Sequence, residues 1–152
     1  MKLAEALSQR SALTNKLNEI ATRLNDNVKV QEGDTPAENP TEIISELEST
    51  LAELQRIIYL INLTNTRTTV ECRNLTEMLA ERDMLKQKTR ALSGALSTLT
   101  SRSDRYTRNE IKYVPTIDAA ELRRLYDKTA ADMRKLDLQI QSIGWTTDLV
   151  EE

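Results

Sequence analysis

The chain has 152 residues, of which 30% are charged and 39% apolar, and its formal net charge is −3. It has no histidine and one cysteine, Cys72, which excludes the commonest general base and metal ligand and any internal disulfide. With 3 glycines, 3 prolines and 3% aromatic residues, the composition excludes a glycine-rich phosphate loop and favours long amphipathic helices over a β-sandwich or barrel.

The N-terminus carries charges every few residues, so we expect no signal peptide. No apolar run approaches the ~20 residues of a membrane span. We therefore expect a soluble, cytoplasmic, non-enzymatic protein that forms one domain over residues 1–152.

The sequence contains an internal repeat, residues 2–66 and 74–145. Residues 3–24 align without a gap on residues 75–96, and the identical pairs include Leu7/Leu79, Arg10/Arg82 and Leu13/Leu85. The dipeptide Pro40-Thr41 returns as Pro115-Thr116. Each repeat therefore predicts a helix, a short extended segment, a loop and a second helix.

In the first repeat, apolar residues at helical spacing predict a helix over about residues 2–25. Val28–Gln31 alternates and predicts a short strand, followed by a loop to Pro40. Thr41 is the predicted N-cap of a second helix over 41–65. Its core seam follows the 3-4 spacing of a coiled coil: Ile44, Leu47, Leu51, Leu54, Ile58 and Ile61.

In the second repeat, the threonine-rich residues 64–74 predict the connection, and helices are expected over 76–100 and 118–143. Glu110–Val114 alternates like a strand and stops at Pro115. Thr116 or Asp118 is the expected N-cap of the last helix. Gly144 is expected just beyond its C-terminus, and Trp145 is expected to pack against the fold.

Together these elements predict a mainly α fold. Each repeat forms a helical hairpin, and the two hairpins form a four-helix antiparallel bundle about a pseudo-two-fold axis. The two short extended or β segments are predicted near one end, where they pair as a ribbon.

Arg10 and Arg82 occupy equivalent positions of the repeat, each between two leucines of an apolar stripe. We predict a structural polar layer that contains both arginines together with Asp83, Asn62 and Asn65, and such layers fix helix register. In the alternative arrangement, both arginines rest their stems on apolar surface and extend the guanidinium groups into water. A ligand site is the third interpretation.

Basic residues are concentrated in the second repeat. Residues 1–72 contain seven basic and eleven acidic side chains, whereas residues 73–135 contain fourteen and nine. The basic segments 86–90 and 102–108, with Tyr106 or Tyr113 stacking on a base, would suit an RNA-binding hairpin. Because basic and acidic residues are interleaved, solvated faces or complementary surfaces between repeats or subunits are the simpler interpretation.

Several motifs together resemble a small bacterial family that is labelled septicolysin. They are residues 30–33 with Pro36, residues 61–66, 79–83 and 110–118, and the final Ile-Gln-Ser-Ile-Gly-Trp of residues 140–145. The resemblance covers residues 2–145. It implies an all-helical core and a homo-oligomer, and the label implies a pore-forming cytolysin. No catalytic residues come with it.

The predicted second helix is apolar on more than one face, since Ile43, Ile57, Leu60 and Leu63 accompany the seam. One neighbouring helix cannot cover so wide a stripe, and large exposed apolar patches are rare on monomers. We therefore expect the chain itself as partner, in a dimer or a dimer of dimers. We expect no metal, cofactor, nucleic acid or membrane; a cytolysin-like protein and an RNA-binding hairpin are the alternative functions.

Overall fold

A computed structural model of the chain describes residues 1–101 and 112–151. Within them lie the helices α1 (Leu3–Asn27), α2 (Pro40–Arg67), α3 (Leu75–Thr100) and α4 (Ala119–Thr146), and the short strands β1 (Thr69–Val70) and β2 (Arg73–Asn74). The predicted mainly α class is confirmed, and every helix begins and ends within three residues of its predicted bounds.

The chain divides into two compact units, and each contains one helical hairpin. The first unit comprises Met1–Leu75 and Gln141–Glu152, and the second comprises Thr76–Ile140. Helices α1 and α2 pack closely in the first hairpin, as α3 and α4 do in the second. The helices have 25 and 28 residues in one hairpin and 26 and 28 in the other, as a duplicated hairpin would have. The pseudo-two-fold axis and the single domain stay predictions.

The interior of the first hairpin is built mainly from aliphatic side chains on one face of each helix, with Thr50 and Thr64 of α2 also buried. Those of α1 are Leu3, Ala6, Leu13 and Ile20, and those of α2 are Ile43, Ile57, Leu60 and Ile61. In the second unit, the buried residues of α4 include Leu122, Thr129, Leu136 and Ile140, which recur at helical spacing. Removing this apolar surface from water is the main favourable term in folding.

The predicted core seam of α2 is wrong at three of its positions. Ile44, Leu51 and Ile58 are 43%, 47% and 38% exposed, whereas Ile43 and Ile57, one position earlier, are buried. Successive residues point about 100° apart around a helix, so an Ile-Ile pair offers two possible core faces. Periodicity alone does not choose between them, and the contact with α1 does.

The N-terminus of α2 is capped by Asn39 and not by Thr41. The Asn39 Oδ1 accepts a hydrogen bond from the Thr41 amide at 3.0 Å, and Pro40 occupies the first helical turn, where its missing N–H costs nothing. Asp118 has the same role before α4, because its Oδ1 accepts from the Ala120 amide at 3.1 Å. The predicted cap at Asp118 is therefore confirmed.

Helix α4 runs past residue 143, where it was predicted to end with Gly144 just beyond its C-terminus. Gly144 is buried inside the helix, and a Cβ placed on it would lie 3.9 Å from the Cβ of Ala4, an ordinary contact. Gly144 does not terminate the helix, because α4 continues through it to Thr146. The expectation that Trp145 packs against the fold is also wrong, since this side chain is 66% exposed.

The β ribbon is formed by the segment that connects α2 to α3 in the chain, and not by the predicted extended segments. Thr69 and Val70 pair antiparallel with Asn74 and Arg73 across a two-residue turn, which keeps the cost of loop closure low. Val28–Gln31 forms no strand, because Val28 continues the turn of α1 and donates its N–H to the Leu24 carbonyl at 3.0 Å. In the second predicted segment, Glu110 and Ile111 lie outside the described residues, and 112–114 form no strand.

The segment that follows α4 is fastened to the first hairpin by backbone hydrogen bonds. The Leu3 amide donates to the Thr147 carbonyl at 2.9 Å, and the Leu149 amide donates to the Met1 carbonyl at 2.8 Å. The Val150 amide donates to the Oγ1 of Thr64 at 3.0 Å. Thr64 is 0% exposed, and its hydroxyl donates to the Leu60 carbonyl at 2.7 Å. One buried hydroxyl of α2 therefore serves two partners.

The substitution Thr64→Val should lower the free energy of unfolding by about 1–2 kcal/mol, because the Val150 amide loses its acceptor while the volume of the side chain is kept. The tail should also become more sensitive to carboxypeptidase. Chemical denaturation and timed digestion are the measurements. Thr129→Val is the matched control, since the buried Thr129 hydroxyl donates only within its own helix, to the Leu125 carbonyl at 2.8 Å. Equal losses for both variants would contradict the anchoring role of Thr64.

Candidate interaction surface

A cluster of charged side chains joins α1, the following loop and α2. The Arg23 guanidinium binds both oxygens of Glu38, at 2.6 and 3.0 Å, and one oxygen of Glu46 at 2.8 Å. The Lys16 Nζ lies 3.3 Å from the other Glu46 oxygen. These hydrogen bonds from Arg23 lower the pKa of the Glu38 and Glu46 carboxyl groups and raise the pKa of Arg23 itself. Two cations of α1, Arg23 and Lys16, therefore bind the side of α2 that carries Glu46, and this side faces α1.

The loop between α1 and α2 is held by Asn27 at the end of α1. Its amide nitrogen donates to the Arg23 carbonyl at 2.8 Å, and its oxygen accepts from the Glu38 amide at 2.9 Å. The backbone and the side chain of Glu38 are therefore both bonded to α1. These two hydrogen bonds fix the end of the loop, which spans residues 28–39, directly before α2 begins.

The ion cluster and the buried face together decide which residues of α2 point away from α1. Glu46, turned toward Arg23, follows Ile44 by two positions, or about 200° around the helix. Ile44 and its heptad equivalents Leu51 and Ile58 consequently lie on the flank of the hairpin. We call these three residues the apolar stripe.

The apolar stripe is a row of large aliphatic side chains at seven-residue intervals, about 10.5 Å apart along the helix. Leu47 and Leu54 are half-buried on its inner side, so the apolar surface continues from the stripe to the core. A row of this kind on a surface helix marks an interaction site more often than scattered exposed residues do. It is the candidate functional site of the first unit.

The predicted polar-layer residues lie in both units. In the first unit, Arg10 and Asn62 are exposed and Asn65 is half-buried. In the second unit, the Arg82 side chain is 22% exposed and binds Asp83 at 2.9 Å. A polar layer that joins these residues stays a prediction.

Asp137 on α4 is a partner of Arg82 that the sequence did not suggest. The Arg82 Nη1 lies 3.6 Å from its carboxylate, so the pair links α3 with α4. Asp137 directly follows the buried Leu136, and an acidic residue at the edge of a core face was the available signal. Without knowledge of which helices are adjacent, that signal does not single out one arginine.

A cleft of about 440 Å³ lies between α1, α2 and the C-terminal tail of the first unit, with Gln9, Glu53, Arg56 and Val150 among its lining residues. Gln9 donates to the Glu53 carboxylate at 2.9 Å, and Arg56 also has an interaction partner. The polar groups of the helical wall are therefore already engaged within the protein.

The remaining predicted features fall on exposed surface or outside the description. Lys86, Lys88 and Arg90 are exposed on α3, and Tyr113 is exposed before α4. The basic segment 102–108, with Tyr106, lies outside the described residues. Within the described part of the chain, no group of three His, Cys, Asp or Glu side chains has a metal-binding arrangement, and none of its helices is long and apolar enough to cross a membrane.

Comparisons with known proteins give a family and a solved structure. Residues 10–149 match the family described as "Family of unknown function (DUF6847)". The fold is similar, with a TM-score of 0.93, to the crystal structure of a functionally unknown conserved protein from Corynebacterium diphtheriae. The two sequences are 45% identical, and the match covers 99% of each chain. No curated protein gives a significant match. None of these comparisons supports the septicolysin label that the motifs suggested.

The substitution Arg23→Met should lower the melting temperature at pH 7, because it removes the cation that binds Glu38 and Glu46. Folding lowers the pKa of both carboxyl groups, so their stabilising contribution is complete above the ordinary pKa of about 4.5 and disappears as the pH falls through the lowered values. The difference between wild type and variant should therefore shrink between pH 5 and about pH 3, as measured by thermal unfolding.

Lys128→Met is the control for this experiment. Lys128 binds Asp132 at 2.7 Å on one exposed face of α4, and this ion pair does not connect two helices. Its removal should therefore lower the melting temperature less than the removal of Arg23 does. If the decrease in melting temperature caused by Arg23→Met does not change with pH, or equals the decrease caused by Lys128→Met, the cluster does not stabilise the hairpin.

Proposed function

We propose that this chain, which belongs to the DUF6847 family of unknown function, is a non-enzymatic helical protein that associates with itself through helix α2. The observation that carries the proposal is the apolar stripe, three large aliphatic side chains at heptad spacing that the protein leaves exposed. Heptad spacing is the pattern by which helices pack on one another over several turns.

The proposed partner is a second copy of the chain. Self-association covers the stripe with a surface of the same kind, and closed two-fold dimers are the commonest assemblies of soluble proteins. The contact is available along a helix of 28 residues, which is about 42 Å long. The half-buried Leu47 and Leu54 lie between the stripe and the hairpin core, so the apolar surface available to the second copy is continuous with that core.

RNA binding is the second candidate, and the exposed basic residues of α3 are the observation in its favour. Lys86 and Arg90 are one turn apart on the same side, but Lys88 lies about 160° to 200° from them around the helix. The charge of Lys88 also acts on Asp132 of α4, whose pKa is lowered mainly by its hydrogen bond with Lys128. These three residues therefore do not form a continuous strip of positive charge that could bind a phosphate backbone. Self-association is the better supported function.

The substitution Leu51→Glu should convert the associated protein into a monomer of 17.3 kDa without a loss of helical signal. Leu51 is central in the stripe and 47% exposed, so a charge there interferes with an apolar contact but disturbs the hairpin little. Light scattering over a concentration series measures the mass, and circular dichroism checks the fold.

Leu138→Glu is the matched control, because Leu138 is an exposed leucine on α4, outside the stripe. The proposal expects this variant to keep the wild-type mass. A wild-type protein that stays monomeric at every concentration would overturn the proposal. So would dissociation by Leu138→Glu with no effect of Leu51→Glu. Retention of an RNA oligonucleotide by the monomer would support the second candidate instead.

A further inference from the structure

We infer that a cleft at the loop end of the second hairpin binds a small organic cation, an aliphatic chain that ends in a guanidinium or ammonium group. This site lies in the other unit and does not depend on the proposed self-association. The two repeats differ at this place: the first supplies such a cation from its own chain, and the second does not.

The cleft lies between the C-terminal part of α3 and the segment that leads into α4. Its volume is about 670 Å³, and small-molecule sites have volumes of roughly 300–1,000 Å³. Ala95, Leu99 and Ile117 line it with apolar surface, and Thr98 and Thr116 add hydroxyl groups. A lining of this composition suits a ligand with an aliphatic part.

Two apolar residues of the cleft stand where the first hairpin has polar ones. In the gap-free alignment of α1 with α3, Ala95 corresponds to Arg23, and three to four residues further along the same helices Leu99 corresponds to Asn27. Arg23 and Asn27 are the residues that bind the loop of the first hairpin. The shorter, apolar side chains of the second repeat cannot form these bonds, and a cleft lies beside them instead.

The groups that bind the Arg23 cation have counterparts in the second repeat that also attract cations. Counted from the Pro-Thr dipeptide of each repeat, Glu38 corresponds to Tyr113 and Glu46 to Glu121. Tyr113 lines the cleft and is 89% exposed, so its ring face is accessible to a cation. Glu121 is exposed in the first turn of α4, next to a residue that lines the cleft. In the described part of the chain, Glu121 forms no ion pair.

An aliphatic cation fits both parts of this arrangement. Its chain would lie on Ala95 and Leu99, in place of the stem of Arg23. Its charged end would meet the Tyr113 ring and the Glu121 carboxylate, and both contacts favour a cation. An anion of the same length would be repelled by Glu121 and is therefore the matched control ligand.

A titration with n-butylguanidinium, followed by NMR of the full chain, tests the site. The wild-type protein should bind this probe with a dissociation constant on the order of 1–10 mM, because the ligand is small and the site is open to solvent. Changes in the amide signals should be concentrated at Ala95, Leu99 and Tyr113. Pentanoate, an anion of similar length, should cause no changes there.

Substitutions in the cleft show whether the probe occupies the predicted position. Ala95→Arg supplies the guanidinium from the chain itself and should therefore abolish binding of the probe. Ala80→Arg adds the same side chain at an exposed position of α3 about four turns before the cleft, and it should leave binding unchanged. Glu121→Gln and Tyr113→Leu should each weaken binding about two- to fivefold.

The first hairpin provides a positive control for the probe. Arg23→Ala removes the cation there, so n-butylguanidinium should bind beside Glu38 and Glu46 and raise the melting temperature of this variant more than that of the wild type. Absence of signal changes at the cleft of the wild type would overturn the inference, whether or not the first hairpin is rescued. Binding that Ala95→Arg leaves intact, or equal binding of pentanoate, would also overturn it.

Discussion

The packing of α1 against α2 determines which apolar residues of α2 are buried and which stay exposed. Helix α2 is apolar over a wider arc than one neighbouring helix covers. Adjacent positions such as Ile43 and Ile44 point about 100° apart, and only one of the two is buried. The excess apolar surface remains on the flank. Stability of the hairpin and exposure of the stripe are thus two consequences of the same helix sequence.

Polar groups at the edge of the apolar contact match the rotation of α2 that buries Ile43 and Ile57. Arg23 connects Glu38 and Glu46, and Asn27 bonds the loop backbone. Pairs as exposed as these contribute little to stability individually, but a fork-shaped guanidinium imposes geometry on two carboxylates at once. They are consistent with only one of the two possible faces of α2, while apolar burial supplies most of the driving force.

The first unit is closed by a segment far from it in sequence. Thr64 lies in the last turn of α2 and accepts a hydrogen bond from Val150, while Met1 and Leu3 bind the residues that follow α4. The hydroxyl of a buried threonine normally bonds its own helix, and here its remaining lone pair accepts a partner from the tail. Residues 1–3 and 147–150 are therefore part of the folded first unit.

The functional interpretation concerns a surface and not a pocket. The polar groups of the helical wall of the cleft in the first unit bind one another, and the basic residues of α3 point in different directions. The apolar stripe differs from both because its three aliphatic side chains remain 38–47% exposed in the part of the chain that the structure describes. The family and the similar solved structure are both of unknown function. The proposed function is therefore based on this surface.

Much of the fold was determined by the sequence alone. The four helices, their lengths, the duplication of the hairpin and the cap at Asp118 follow from local periodicity and local hydrogen bonding, which need no knowledge of neighbours. The width of the apolar arc on α2 was also visible in the sequence, and with it the expectation that some of this surface stays uncovered.

Only the tertiary structure decided which side of α2 became the uncovered one. An Ile-Ile pair satisfies helical periodicity in two rotations, so the choice depended on the contact with α1, at whose edge Arg23 binds Glu46, 23 residues away in sequence. The strand pairing at Thr69–Asn74, the partnership of Arg82 with Asp137 and the acceptor role of Thr64 were decided in the same way. Each depends on which groups folding brings together, and a pattern along one chain segment contains no information about its neighbours in space.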